Sequence, residues 1–219
     1  TDPTAFVVSA WIELAEERLD SAENFASEAY VLDELGDDTV DVHMVRGATF
    51  TMKTKFERAV EAFKRALSRA TDEYKADICW RLAYCELKLD RINDAMSSCL
   101  LGIEKDSDGS HLKALLENAH YATMIYSTDG KTWEDKIGRA QEHLTRVKKA
   151  NIPESVKRLL IQEREKLIEA LTIESEIAAL EKKIDDAWDY EFPLRTLGVA
   201  VFFLLCFFGS PHFITFLLF

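Results

Sequence analysis

Three times along the first hundred or so residues the chain places small side chains at matching positions, and the register advances by 37 residues and then by 36. Ala10, Gly47 and Ala83 form one column of this register; Ala22, Ala59 and Ala95 form a second column twelve residues later. Each residue of the second column opens a helical face: Ala22, Ala26 and Ala29; Ala59, Phe63 and Ala66; Ala95, Cys99 and Gly102. All three sets have spacings of four and then three, which puts each on one side of a helix. Within FERAVEAFKRAL, Phe56 to Leu67, alanine thus stands where leucine would bury more surface. Two antiparallel helices approach closely only where small side chains cross. A pair that gives up buried area in this way needs the next pair to complete its core. The register therefore predicts an all-α chain of stacked helical hairpins. With only eight Gly and four Pro in 219 residues, little interrupts such helices.

The segment RLAYCELKLDRINDA, Arg81 to Ala95, carries a resemblance to the tetratricopeptide-repeat (TPR) family, with Leu82-Ala83 in a first helix and Ala95 opening the core of a second. The block from Gly47 through Phe50 to Ala59, Phe63 and Ala66 matches next best. The repeats are divergent. The family period is nearer ~34, its large aromatic is absent at His43, Glu86 replaces an apolar residue, and the helix-ending proline is missing. The resemblance implies a TPR-like array of about four hairpins over residues 1–153. HLKALLENAHYATMIY and WEDKIGRAQEHLTRVKKA supply the fourth, with Ala140, Leu144 and Val147 on one face.

The family's geometry also places a concave face on the first helix of each pair. Carried onto this chain, it selects Val7, Trp11 and Leu14, then Met44 and Ala48. Farther on it selects Trp80, Tyr84 and Leu87, then Leu116 with His120. This row is apolar and aromatic and lacks the Lys, Arg and Asn with which related modules clamp acidic tails. It implies a groove for an amphipathic helix or an apolar peptide of a partner protein. The alternative occupant is the chain's own long helix, which would make Trp80 and Tyr84 core.

After Asn151-Ile152-Pro153 the pattern changes. Val156, Leu160, Leu167, Leu171, Ile177, Leu180 and Ile184 recur at spacings built mainly from threes and fours, with no Pro or Gly between Glu154 and Phe192. They predict one amphipathic helix over 154–192, or two joined near Thr172. Its first part caps the hairpin stack; its later part is a capping helix or a coiled-coil contact. Residues 193–219 differ again: Arg195 is their sole charged residue, and Leu197, Phe202, Phe203, Leu204, Phe207, Phe208, Phe213 and Phe216 run through them. A helix from Thr196 to Phe219 would be on the order of 35 Å long, enough to cross a bilayer. Gly209-Ser210-Pro211 would kink or reverse it. Trp188 and Tyr190 suit the interface, and Lys182, Lys183 and Arg195 keep the repeats on the near side. The expected arrangement is a tail anchor.

A net charge of -12 repels phosphate backbones and argues against nucleic-acid binding. Cys79, Cys85, Cys99 and Cys206 show no CxxC spacing and read as small apolar residues. DSDGS, Asp106 to Ser110, has too few acids for a calcium loop and reads as a turn. No nucleophile elbow, HExxH or phosphate-cradling loop is present, so neither enzymatic activity nor a cofactor is expected. The partners expected are other proteins and membrane lipid. The chain opens TDPTAF, without methionine; with the tail anchor and reduced-looking thiols, this points to an organellar membrane, mitochondrial ahead of plastid. The expected role is a membrane-anchored interaction scaffold, an accessory subunit of an organellar complex. The alternatives are a tail-anchored adaptor similar to that of mitochondrial fission, and a purely structural subunit of a respiratory, ATP-synthase or photosynthetic assembly.

Overall fold

A computed structural model describes residues 2–34 and 39–189. These form nine α-helices and no strand: α1 (Thr4–Ala15), α2 (Leu19–Glu34), α3 (Val40–Met52), α4 (Phe56–Arg69), α5 (Asp72–Lys88), α6 (Ile92–Lys105), α7 (Leu112–Thr128), α8 (Trp133–Lys149) and α9 (Glu154–Asp189). Residues 193–219, the proposed membrane segment, and Cys206 lie outside the described residues. Among those described, no helix is long and apolar enough to cross a membrane. The chain divides into two compact units, Thr1–Leu171 and Thr172–Phe219.

In the first unit each helix from α1 to α8 packs on the next, and α1, α3, α5 and α7 also meet in succession. The small-residue register explains why. Ala10, Ala22, Ala59, Ala66, Ala83 and Ala95 are wholly buried, and Phe63 nearly so. Gly47 sits so close to Phe63 that a Cβ would fall 2.5 Å from the ring. At Gly102 a Cβ would likewise fall 2.5 Å from Leu115 and 2.8 Å from Cys79. The fourth hairpin buries Ala140 and Val147, with His143 beside them, and half-buries Leu144.

The turns repeat as well. Glu17, Thr54 and Asp90 have φ of 57°, 56° and 58°, and they are spaced by the same 37 and 36 residues. After each, a backbone N–H closes back over the helix end: Arg18 to the Glu13 carbonyl (2.9 Å), Lys55 to Phe50 (2.8 Å) and Arg91 to Glu86 (2.9 Å). This is the closure that glycine usually supplies. Here three non-glycine residues adopt the left-handed conformation, so no sequence signal marks the turns.

Glu86, which stands where the TPR pattern has an apolar residue, is buried between α5 and α6. Ser98 Oγ donates to its Oε2 at 2.8 Å, and Lys64 Nζ lies 3.5 Å from Oε1. Burial pushes its carboxyl above the ordinary glutamate range, against the pull of Ser98 and Lys64. A carboxyl raised in the folded state binds more protons than in the unfolded chain, so stability falls as pH rises from the unfolded value through the folded one. Glu86→Gln is therefore expected to raise the melting temperature at pH 7.5 and to leave it nearly unchanged at pH 4. A parallel thermal scan at the two values checks this. His143 is also buried, stacked 4.5 Å from Tyr126. Burial and then the charges of Arg146 and Arg164 hold its pKa down at about 4, so it is a neutral packing residue.

α9 adds its first half to this unit. Leu160 and Leu171 are buried, and between them lies Arg164, also buried. Its Nη1 donates to the Leu160 carbonyl (3.0 Å) and its Nη2 to the Ala119 carbonyl of α7 (3.2 Å). In the second unit, Ile173, Ile177, Leu180 and Ile184 form a stripe on α9 that is exposed along its whole length.

Candidate functional site

α1, α3 and α5, with two phenylalanines of α4, enclose an open groove of about 650 Å³. Trp11, Leu14 and Ala15 come from α1; Ala48, Thr51 and Met52 from α3; Thr54 from the following turn; Phe56 and Phe63 from α4; Trp80, Arg81 and Tyr84 from α5. The volume lies in the range of sites that hold a drug-sized ligand or a short peptide face. The described residues that line it come from α1, α3, α4, α5 and the turn before α4.

The aromatic walls are held by specific contacts. Trp80 Nε1 donates to Asp77 Oδ1 at 2.8 Å, and Arg81 Nε donates to the same oxygen at 3.1 Å. This fork fixes the indole and lays the Arg81 guanidinium 4.5 Å from the Trp80 ring and 5.9 Å from that of Trp11. Phe56 meets Tyr84 edge-on, with centroids 6.4 Å apart. Tyr84 remains 38% exposed and Trp80 partly so. Exposed aromatic faces, with the polar tip of Trp80 tied back, favour burial against an apolar partner. The one cation in the walls, Arg81, is paired with Asp77, so the groove is close to neutral inside an acidic protein.

The structure brings together Trp11, Leu14, Ala48, Trp80 and Tyr84 of the residues expected there. It places the rest elsewhere. Val7 is buried in the cluster formed by α1, α2 and α3. Met44 belongs to the core around Phe63, and Leu87 packs against the core around Met96. The odd-numbered helices have neighbours on several sides, so part of each supposed concave row points into the stack. Leu116 packs in the cluster that contains Leu160 of α9, and His120 lines a small recess with Glu163, Arg164 and Leu167. At the fourth hairpin the chain's own helix therefore occupies the row, while the first three hairpins keep it open.

Sequence reasoning missed Ala15, Thr51, Met52, Thr54, Phe56 and Arg81, and read Phe63 only as a packing residue of the hairpins. Of these, Phe56 and Thr54 follow from the turn geometry, which carries no glycine to reveal it.

One buried thiol borders the site. Thr51 Oγ1 lies 3.2 Å from Cys85 Sγ. Burial pushes the thiols of Cys79, Cys85 and Cys99 up, that of Cys79 to about 12. Such thiols are unreactive in the folded chain. No group of His, Cys, Asp and Glu arranged to hold a metal occurs among the described residues. What the site offers is apolar surface. Compared with known proteins, the chain matches no protein-family model and no curated protein.

Proposed function

We propose that the chain is a membrane-anchored, TPR-like interaction scaffold whose groove receives the apolar face of a helix or peptide from a partner protein. The observation that carries this reading is the open groove between the first three hairpins, walled by Trp11, Trp80 and Tyr84. The repeating turns at Glu17, Thr54 and Asp90 support a hairpin array of one design. The Phe-rich segment from Thr196 to Phe219 supports a lipid anchor. On this reading the protein is an accessory subunit of an organellar membrane complex, with mitochondria favoured.

Trp80→Ala with Tyr84→Ala tests the groove. Both side chains retain exposure, so far-ultraviolet circular dichroism of the double variant should match the parent while partner recovery from native membranes falls at least tenfold, as for paired aromatic anchors. Loss of helicity together with partner recovery would make the two residues core instead.

A second reading, a purely structural subunit, is favoured by the exposed stripe of Ile173, Ile177, Leu180 and Ile184, which suits a fixed neighbouring helix. Mild-detergent electrophoresis separates the two: a structural subunit co-migrates wholly with one large complex, a scaffold only in part.

A further inference from the structure

On the opposite flank of α3, three arginines converge on two aromatic rings in a chain whose net charge is -12. Arg46 of α3 stacks on Tyr30 of α2, its guanidinium carbon 3.6 Å from the ring centroid. Arg65 of α4 donates from Nη1 to the Tyr30 hydroxyl at 2.7 Å. Arg46 and Arg58 lie 5.5 and 5.9 Å from the Phe50 ring. Together with Glu61 and Ala62 these residues line a recess of about 190 Å³. Glu61 is the only acid among the described residues that line it. None of the three arginines has a carboxylate within ion-pair distance among the described residues, although nearby lysines do: Lys53 and Lys55 both pair with Glu23. The Nε of Arg46 is buried without an acceptor.

A net acidic protein that gathers three guanidinium groups around one recess, and leaves a buried donor unmet, has built a local anion site against its own field. Guanidinium forks match phosphate oxygens in bidentate pairs, and the aromatic faces fix the forks in orientation. We propose that this recess binds a small phosphate-bearing molecule, through Arg46, Arg58 and Arg65. The source follows from charge. A polyanion such as a lipid surface or nucleic acid meets the acidic remainder of the protein and is repelled, whereas a small phosphate reaches the recess alone. The site is separate from the groove and does not depend on its role.

The test is titration calorimetry of the full chain in non-ionic detergent with pyrophosphate and inorganic phosphate. Binding is expected to weaken with added salt, and binding of inorganic phosphate to strengthen from pH 5.5 to 7.5 as the ligand takes its second charge. Arg58→Gln and Arg65→Gln should each weaken it about tenfold, the usual scale for a charge-assisted hydrogen bond. Among the described residues Arg58 makes no hydrogen bond or ion pair and only approaches the Phe50 ring, so its variant also keeps the fold. Glu61→Gln should tighten binding, a change that a merely structural arginine cluster would not give. No heat at millimolar pyrophosphate, or affinity unchanged in both arginine variants, overturns the proposal. So does uptake onto phosphatidic-acid vesicles without any binding of pyrophosphate.

Discussion

Gly47→Ala is expected to lower the unfolding free energy by about 1–2 kcal/mol, while Gly138→Ala raises it by about 1 kcal/mol. The added atom is the same in both. On an open helix surface alanine is better than glycine by that last amount, and nothing lies within 4 Å of a Cβ at Gly138. At Gly47 the new carbon would sit 2.5 to 2.7 Å from three atoms of the Phe63 ring. That ring is almost fully buried between α3, α4 and α5, so moving it aside disturbs the core around it. Overpacking of this kind costs about 1–3 kcal/mol, which outweighs the helix preference. The two positions should also couple. Phe63→Leu vacates the space, so Gly47→Ala in that background should cost at least ~1 kcal/mol less than in the parent. Urea unfolding of the four proteins measures the coupling, and additivity would show that Gly47 is not a contact point between α3 and α4.

Arg164→Met is expected to stabilise the protein by about 1–2 kcal/mol. Arg164 is a buried cation with no carboxylate within ion-pair distance among the described residues, and its Nε has no acceptor. Burial brings its pKa down to about 10, a shift worth on the order of 3 kcal/mol against the charged form. The two carbonyl bonds to Leu160 and Ala119 return about 1 kcal/mol each. Methionine fills similar space and leaves no polar group unmet, because Ala119 O still accepts from Thr123 Oγ1 at 2.9 Å. Thermal unfolding checks the sign. A loss of stability would show that the bonds to the Leu160 and Ala119 carbonyls outweigh the cost of burying the cation.

Both residues bear on what a reader of the sequence can see. The columns of small residues are legible because helix crossing leaves a period: Ala10, Gly47, Ala83 and their partners all turn out buried, in the spacing that marked them. Arg164 was not legible. It stands four residues after Leu160 and three before Leu167, on the buried stripe, and reads there as a gap. Its burial depends on α9 docking against α6 and α7, which no local pattern encodes. The same docking removed Leu116 and His120 from the groove. The groove was half legible, since the rows of α1, α3 and α5 were found but not which members of each row turn inward. Val7 and Met44 lie on helices flanked on several sides, where one periodic stripe cannot separate core from cleft. The arginine recess was not legible at all, because Tyr30, Arg46, Arg58 and Arg65 come from three helices and meet only when the hairpins stack.

The central claim is that apolar segments of a partner enter between α1, α3 and α5. A photoreactive residue placed at Tyr84, at the groove mouth, and a second at Val31, exposed on α2 away from it, give the direct measurement in native membranes. Illumination should yield one discrete adduct from position 84, abolished by Trp80→Ala, and none of that mass from position 31. The same adducts from both positions, or none from 84 while the protein remains in its complex, would contradict the account.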